Sequence, residues 1–254
     1  MSSDGTFRKH IELAVSRSNT MCGWILRTFK TRERLPMLTL WKTLVRSNLD
    51  YCCQLWYPTR RGDIQTLEQT QRSFIRKING MQRLSYWEQL SALSLYSLER
   101  RRERYIIMYV WRILEGLTPN FSDPSEGGIK VQRSYESRGG RLCEVPAVNR
   151  QASAAVQQMR YSSFGIMGPK LFNAMPLELR NCTDCPLEIF KCRLDKYLRT
   201  VPDEPLVSGY TMYRRSDSNS LTHMVQFASA QLSMLDNPDS VPLEGGGHPW
   251  PPRD

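Results

Sequence analysis

SYWEQLSALSLYSLERRRERYIIMYVWRIL, residues 85–114, sets an apolar run, then four arginines and two glutamates, then a longer apolar run. Ser85-Tyr86-Trp87-Glu88 has the spacing of a helix capping box. Leu90 and Leu93 follow it, and Ser97 offers a second start, so the long helix reads as 98–115, closed by Gly116 and Pro119. On a helix of 3.6 residues per turn, Leu98, Tyr105, Ile106, Tyr109 and Ile113 share one face. Arg102 falls on that face, Arg101 borders it, and Arg100 and Arg104 point largely the other way. The later turns are apolar nearly all round and demand burial. The first turns cannot be buried without partners. Two explanations compete. Either Glu99 pairs with Arg102 at i,i+3, Glu103 screens its neighbours and the remaining arginines are solvated, or the surplus meets phosphate, to which a planar guanidinium donates two hydrogen bonds.

Upstream, the chain reads as helices with short joints. Phe7, Ile11, Ala14, Val15, Ser18, Cys22, Ile25, Leu26 and Phe29 recur at three- and four-residue steps, with Asp4 as the cap. Leu35-Pro36 opens a second helix, whose stripe runs from Met37 through Trp41, Val45 and Leu49 to Trp56, with Pro58 marking its end. Asp63 caps a third helix, with Ile64, Leu67, Gln71, Phe74, Ile75 and Ile78 inward and Gly80 as its stop. Together with the opening stretch this makes a helical bundle over residues 1–118.

Beyond Pro119 the periodicity fades. Residues 119–160 carry two Gly-Gly pairs and read as a linker or irregular segment. A small helical region over 161–204 follows, with a short strand at Phe164-Gly165-Ile166, a short helix from Pro169 to Met175, and another from Pro186 to Leu198. Residues 205–254, with Pro, Gly and Ser clusters, read as a mostly disordered tail in which 221–235 forms a transient helix. The fold class expected is therefore mainly α: a basic helical bundle, a smaller irregular α-rich region, and a tail.

The charge is unevenly placed. The 254 residues carry a formal net charge of +10, yet residues 1–118 hold 20 Lys+Arg against 10 Asp+Glu and residues 119–254 hold 15 of each. The whole excess belongs to the front half, which suggests a polyanionic partner, nucleic acid before membrane. No run of 18 apolar residues is present, so no membrane span is expected. Seven irregularly spaced cysteines and no apolar signal-peptide core argue against a disulfide framework and for an intracellular place, cytoplasm or nucleus.

Catalytic chemistry is hard to find in this sequence. It has no Gly-rich phosphate loop leading to Lys-Ser or Lys-Thr, no Asp-Asp pair, and only three histidines, each isolated. No cofactor is expected. Cys182 and Cys185 form one C-x-x-C, with Cys192 downstream, which is at most three-quarters of a zinc site. The remaining signal is cationic. Arg72, Arg76, Lys77 and Arg83 cluster on and after the third helix, and Arg60-Arg61 stand before it. With Arg100, Arg101 and Arg104 on the long helix, the phosphate-contact set is Arg60, Arg61, Arg72, Arg76, Lys77, Arg100, Arg101 and Arg104. Trp41, Trp56, Trp87 and Trp111 lie in or near apolar stripes, as core residues first and base-stacking platforms second.

These residues also carry a resemblance. Phe7 to Ile11 with Gly23 to Phe29 resemble the region just after the palm in reverse transcriptases from jockey-type non-LTR retrotransposons, and Leu44 to Cys52 with Leu55 to Pro58, Leu67 to Arg72, and the opening stretch itself resemble the family's thumb. Gly168 to Asn173, Met175-Pro176 and Leu194-Asp195 through Pro202-Asp203 resemble the segment after the thumb, so the likeness covers about residues 4–210. The resemblance implies a thumb that grips primer–template duplex behind a polymerase site, in the C-terminal part of an RNA-directed DNA polymerase. The family's catalysis rests on an aromatic-Ala-Asp-Asp motif in the palm, which this chain does not contain, so the expectation is a non-catalytic nucleic-acid-binding region. The alternative is a helical protein-interaction module or a retroelement remnant that self-associates through apolar surface once covered by a palm.

Overall fold

A computed structural model describes residues 7–58, 60–120, 128–131, 140–147, 151–203 and 219–225. The chain is mainly α-helical, as its sequence predicts. Ten α-helices and one π-helical turn are found among the described residues, which contain no strand beyond an isolated bridge between Val131 and Cys143.

The first helix, α1 (Arg8–Thr28), buries Ile11, Ala14, Val15, Ser18, Cys22 and Ile25, the stripe read from the sequence. Its last carbonyls have no partner within the helix. Arg32 supplies one, donating from Nη2 to Leu26 O at 2.8 Å and from Nη1 to Phe29 O at 2.5 Å.

The second helical run differs from its expectation. It comprises α2 (Arg34–Leu40), a π turn (Trp41–Val45) and α3 (Arg46–Asp50), and ends well before Pro58. The reason lies in the spacing of Met37, Trp41, Val45 and Leu49, all fully buried. Each step of four residues overshoots an α-turn by about 40°, so the stripe would drift off the core. A wider i→i+5 turn takes up the surplus residue. Past Asp50 the chain turns through Cys52 at φ 50°, and Trp56 folds back, its Nε1 donating to Tyr51 O at 2.8 Å.

Next comes α4 (Arg61–Ile75), then α5 (Tyr86–Leu93) behind the predicted capping box. Glu88 N–H donates to Ser85 Oγ at 3.3 Å, and Ser85 N–H to Glu88 Oε2 at 2.7 Å. The long helix, α6 (Leu98–Leu114), starts at Ser97, whose hydroxyl accepts from Arg100 N–H. Gly116, at φ 69°, ends it: its N–H reaches Ile113 O and that of Leu117 reaches Arg112 O, the paired bonds of a Schellman motif.

Two hydrophobic cores are present, and α6 belongs to both. Its start, Leu98, closes the core formed by α1 to α5. Ile106, Ile107, Val110 and Trp111 belong to the second, with Phe172, Phe190, Leu194 and Leu198. The boundary expected at residue 118 therefore falls inside α6.

The segment expected as a linker contributes to the second core. Ile129 and Cys143 are buried there, and the Asn173 amide brackets the Cys143 backbone with two 2.8 Å bonds. Within 119–160 lies a further helix, α7 (Ala154–Tyr161). The strand expected at 164–166 is instead the start of α8 (Phe164–Asn173), which contains Pro169. Gly168 explains the packing: a Cβ there would lie 2.9 Å from Val110 Cγ2, so only glycine lets α8 approach α6 this closely. Two more helices, α9 (Leu177–Arg180) and α10 (Leu187–Leu198), complete the region.

Residues 219–225 contradict the disordered-tail expectation for that stretch. They return to the second core, where Leu221 and Met224 are buried. The rest of the expected tail lies outside the described residues.

Trp111 joins α6 to α10 and to the turn before it. Its ring stacks on Phe190 with centroids 4.5 Å apart, and its Nε1 donates to Cys182 O at 2.7 Å. Trp111→Ala is expected to cost about 3–5 kcal/mol of stability, measured by urea denaturation.

Candidate nucleic-acid interface

The arginines of α6 are spent on the protein itself. Arg100 is wholly buried. Its Nε lies 3.6 Å from Glu103 Oε2, and its Nη2 donates to the carbonyls of Pro202 and Asn219 at 3.1 and 3.2 Å. Glu103 accepts the Leu221 N–H at 3.0 Å on each oxygen and the Ser220 hydroxyl at 2.7 Å. Asp203 accepts the Ser97 N–H, the Ser97 hydroxyl and the Asn219 amide, each at 2.7 Å. Arg102 is buried too, with Nη2 on Leu49 O at 3.0 Å and its guanidinium 4.7 Å over the Trp56 ring. Burial holds its pKa below the ordinary arginine value. The ion pair expected between Glu99 and Arg102 is replaced by the one between Arg100 and Glu103.

Arg101 and Arg104 are neutralised nearer the surface. Arg101 Nε meets Asp50 Oδ2 at 2.7 Å, a carboxylate that also faces Arg46 at 3.6 Å. Arg104 makes a two-pronged bond to Asp195, at 2.5 and 2.8 Å, which raises its pKa further. Arg100, Arg101 and Arg104 are therefore withdrawn from the phosphate-contact set. Apart from Glu103, three residues on from Arg100, the carboxylates and carbonyls they bind are brought from about 50 to 120 positions away in the chain.

The α4 residues divide by position. Arg72 is half-buried, its guanidinium 4.7 Å over the Tyr86 ring. Arg61 is half-buried at the first helical position, and Arg60 is exposed at the N-cap. Arg60 lines a groove of about 760 Å³ between α1 and α4. Glu12 and Asp63 share that groove, and Glu12 is already paired with Arg8 at 3.1 Å, so its charges largely cancel. Arg76 and Lys77 are exposed at the far end of α4.

That far end gathers cations from several elements. Asp63 at the start of α4 lies close enough to Arg8 and Glu12 at the start of α1 to feel their charges, and the segments that follow the two helices are also joined, so α1 and α4 run parallel and finish together. The connection after α1 is tied to the connection after α4: Asn79 N–H donates to Arg32 O, and the Asn79 amide to Glu33 Oε1, each at 2.9 Å. Arg34 donates to Ala92 O of α5. Exposed Arg27, Lys30, Arg34, Arg76, Lys77 and Arg83 thus share one end of the bundle. Of these, the sequence reading had placed only Arg76 and Lys77 in the contact set. Periodicity gave no signal for the others, because hydrogen bonds between distant connections bring them together.

Burial sharpens the charge imbalance. Glu68, Glu99 and Glu103 are inside. Among the described residues up to 118, eleven lysines and arginines are exposed against three carboxylates, Glu12, Glu33 and Glu88. The four tryptophans singled out by sequence are not free platforms: Trp41, Trp56 and Trp111 are buried and Trp87 is half-buried. Among the described tryptophans, Trp24 on α1 is the exposed one, at 46%. No three His, Cys, Asp or Glu side chains among the described residues converge as a metal ion would need, and no described helix is long and apolar enough to cross a membrane.

Arg100→Met is expected to destabilise the chain by about 3–5 kcal/mol, because it strands the Glu103 carboxylate in the interior. Arg76→Ala should change stability by no more than about 0.5 kcal/mol. Urea titration of both variants makes the comparison. The buried acids also set a pH dependence. Burial pushes Glu68 up to about 7, although the Tyr86 hydroxyl and the Glu99 N–H both favour its charge. The folded chain therefore keeps a proton that the unfolded chain has released, and stability falls as pH rises from the ordinary glutamate range towards 7. The urea midpoint should be higher near about pH 5 than near about pH 8, and Glu68→Gln should flatten that difference.

Comparison with models of protein families, with curated proteins and with solved structures gave no match for this chain.

Proposed function

We propose that this chain is a non-catalytic nucleic-acid-binding region that holds a phosphate backbone at the cationic end of its first bundle. The observation that carries the reading is the excess of eleven exposed cations over three exposed carboxylates among the described residues up to 118. Helix-end cations also complement the macrodipole, which accounts for Arg27 and Arg76. It does not account for Arg83, which lies between helices, and Arg34 already donates to Ala92 O in the last turn of α5. A phosphate backbone would engage Arg27, Arg76, Lys77 and Arg83 together. The resemblance to the thumb of non-LTR reverse transcriptases supports the same reading, with primer–template duplex as the ligand. The sequence holds no Asp-Asp pair for metal-dependent nucleotide transfer, so the role proposed is grip without chemistry.

Contacts of this kind carry no base information, so binding should be indifferent to sequence. On labelled B-form duplex, log affinity should fall linearly with log salt at a slope of about −0.9 per phosphate engaged. The triple variant Arg76→Ala, Lys77→Ala, Arg83→Ala should lower that slope by about 2–3 while leaving the urea midpoint unchanged. Absence of binding at low salt, or affinity indifferent to salt, overturns the proposal.

A second reading, a helical protein-interaction module, draws on the outer face of α1. Leu13 and Trp24 are 59% and 46% exposed, and Trp24 borders a groove that Met21 and Leu44 line. Salt-independent oligomers in light scattering, reduced by Trp24→Ser, are what that reading expects.

A further inference from the structure

Seven free cysteines are present, and two of them face each other. Cys182 Sγ and Cys185 Sγ lie 3.2 Å apart across a tight turn. The turn is held from several sides. Cys182 O accepts from Trp111 Nε1 at 2.7 Å, and Asp184 N–H donates to Glu115 Oε2 at 2.8 Å. Glu115 is in turn fixed by Arg141 at 2.5 Å. Asp184, between the two cysteines, adopts φ 50°, a left-handed conformation uncommon for a residue with a side chain. The end of α6 therefore clamps the turn in the shape that brings the sulfurs together. Arg193 Nη1 donates to Cys182 Sγ at 3.4 Å, placing a positive charge where a thiolate would form. The two sulfurs differ in access: Cys182 is 5% exposed, and Cys185 is half-buried.

We propose that Cys182 and Cys185 are a reversible thiol–disulfide site, oxidised by low-molecular-weight disulfides of the glutathione type. In the first step the Cys185 thiolate, the more accessible, attacks one sulfur of the small disulfide. A mixed disulfide forms and one small thiolate leaves. The Cys182 thiolate, its charge balanced by Arg193, then attacks the Cys185 sulfur. The intramolecular bond forms and the second small thiolate leaves. The two protons lost by the cysteines are taken up by the two departing thiolates, and two electrons pass from the protein to the small disulfide. Cys22, Cys53 and Cys143 lack a facing thiol and are buried, which pushes them up to about 12, 11 and 12 respectively. Desolvation and the neighbouring Cys182 sulfur also raise Cys185, to about 11, so exchange quickens as pH rises towards that value.

The test uses the full chain and oxidised glutathione, followed by alkylation and tryptic mass mapping. Residues 181–191 lie between Arg180 and Lys191 and hold both cysteines in one tryptic peptide. That peptide is expected to lose two hydrogens and regain them on reduction. Cys182→Ser is expected to stop at a stable glutathione adduct on Cys185. Arg193→Met is expected to accumulate the mixed disulfide that the native chain resolves, with an unchanged urea midpoint. The proposal is overturned if the 181–191 peptide stays doubly alkylated while exposed Cys192 is modified. It is equally overturned if the native chain and Cys182→Ser end at the same adduct.

Discussion

Arg100, Glu103 and Asp203 meet at the start of α6, the first two wholly buried and Asp203 half-buried. A buried guanidinium and buried carboxylates are costly unless each finds opposite charge and hydrogen bonds. The chain meets much of that demand by bringing residues 202–203 and 219–221 back across the helix: backbone N–H and carbonyl groups bond Glu103 and Arg100 Nη2, while Arg100 Nε has its ion pair with Glu103 and Nη1 has no hydrogen-bond partner. Glu68 extends the same arrangement into the first bundle by accepting the Tyr86 hydroxyl and the Glu99 N–H. The network therefore touches both cores and the returning strand of chain. Apolar packing alone would permit many arrangements of these helices. A charge that must find its partner permits few.

This constraint shapes the surface as well as the interior. Three of the front half's glutamates are taken inside with two of its arginines. Two further arginines are tied to Asp50 and Asp195. What remains outside is more positive than composition suggests, and much of it lies where α1 and α4 finish together. The interface proposed for nucleic acid is thus a by-product of how the interior was neutralised. It shifts from the long helix, where the arginine run is densest, to the far end of the bundle.

Long α6 also decides the architecture. Its first turns complete one core and its later turns found the other, so the two regions share a helix instead of a linker. The apolar later turns were legible as buried. Their partners were not, because Phe172, Phe190 and Leu198 lie some 60 to 90 positions downstream, and Gly168 matters only for its lack of a side chain against Val110. The short apolar group at 164–166 was ambiguous in period, and proximity to α6 turned it into helix.

The amino-acid sequence alone determined what depends on near neighbours. The Ser85–Glu88 box, the Ser97 start, the Gly116 stop and the inward stripes of α1 and α4 each involve groups within a few residues of one another, and each stands where the sequence put it. Only the tertiary structure decided the fate of the charges. Arg101 pairs with a carboxylate 51 positions away, Arg104 with one 91 away, and Arg100 bonds a carbonyl 119 away. Helical periodicity says which way a side chain points, but a guanidinium looks the same from within the sequence whether it faces water, phosphate or an aspartate. The energy that distinguishes those outcomes is long-range in the chain and short-range in space, and it exists only once the chain is folded.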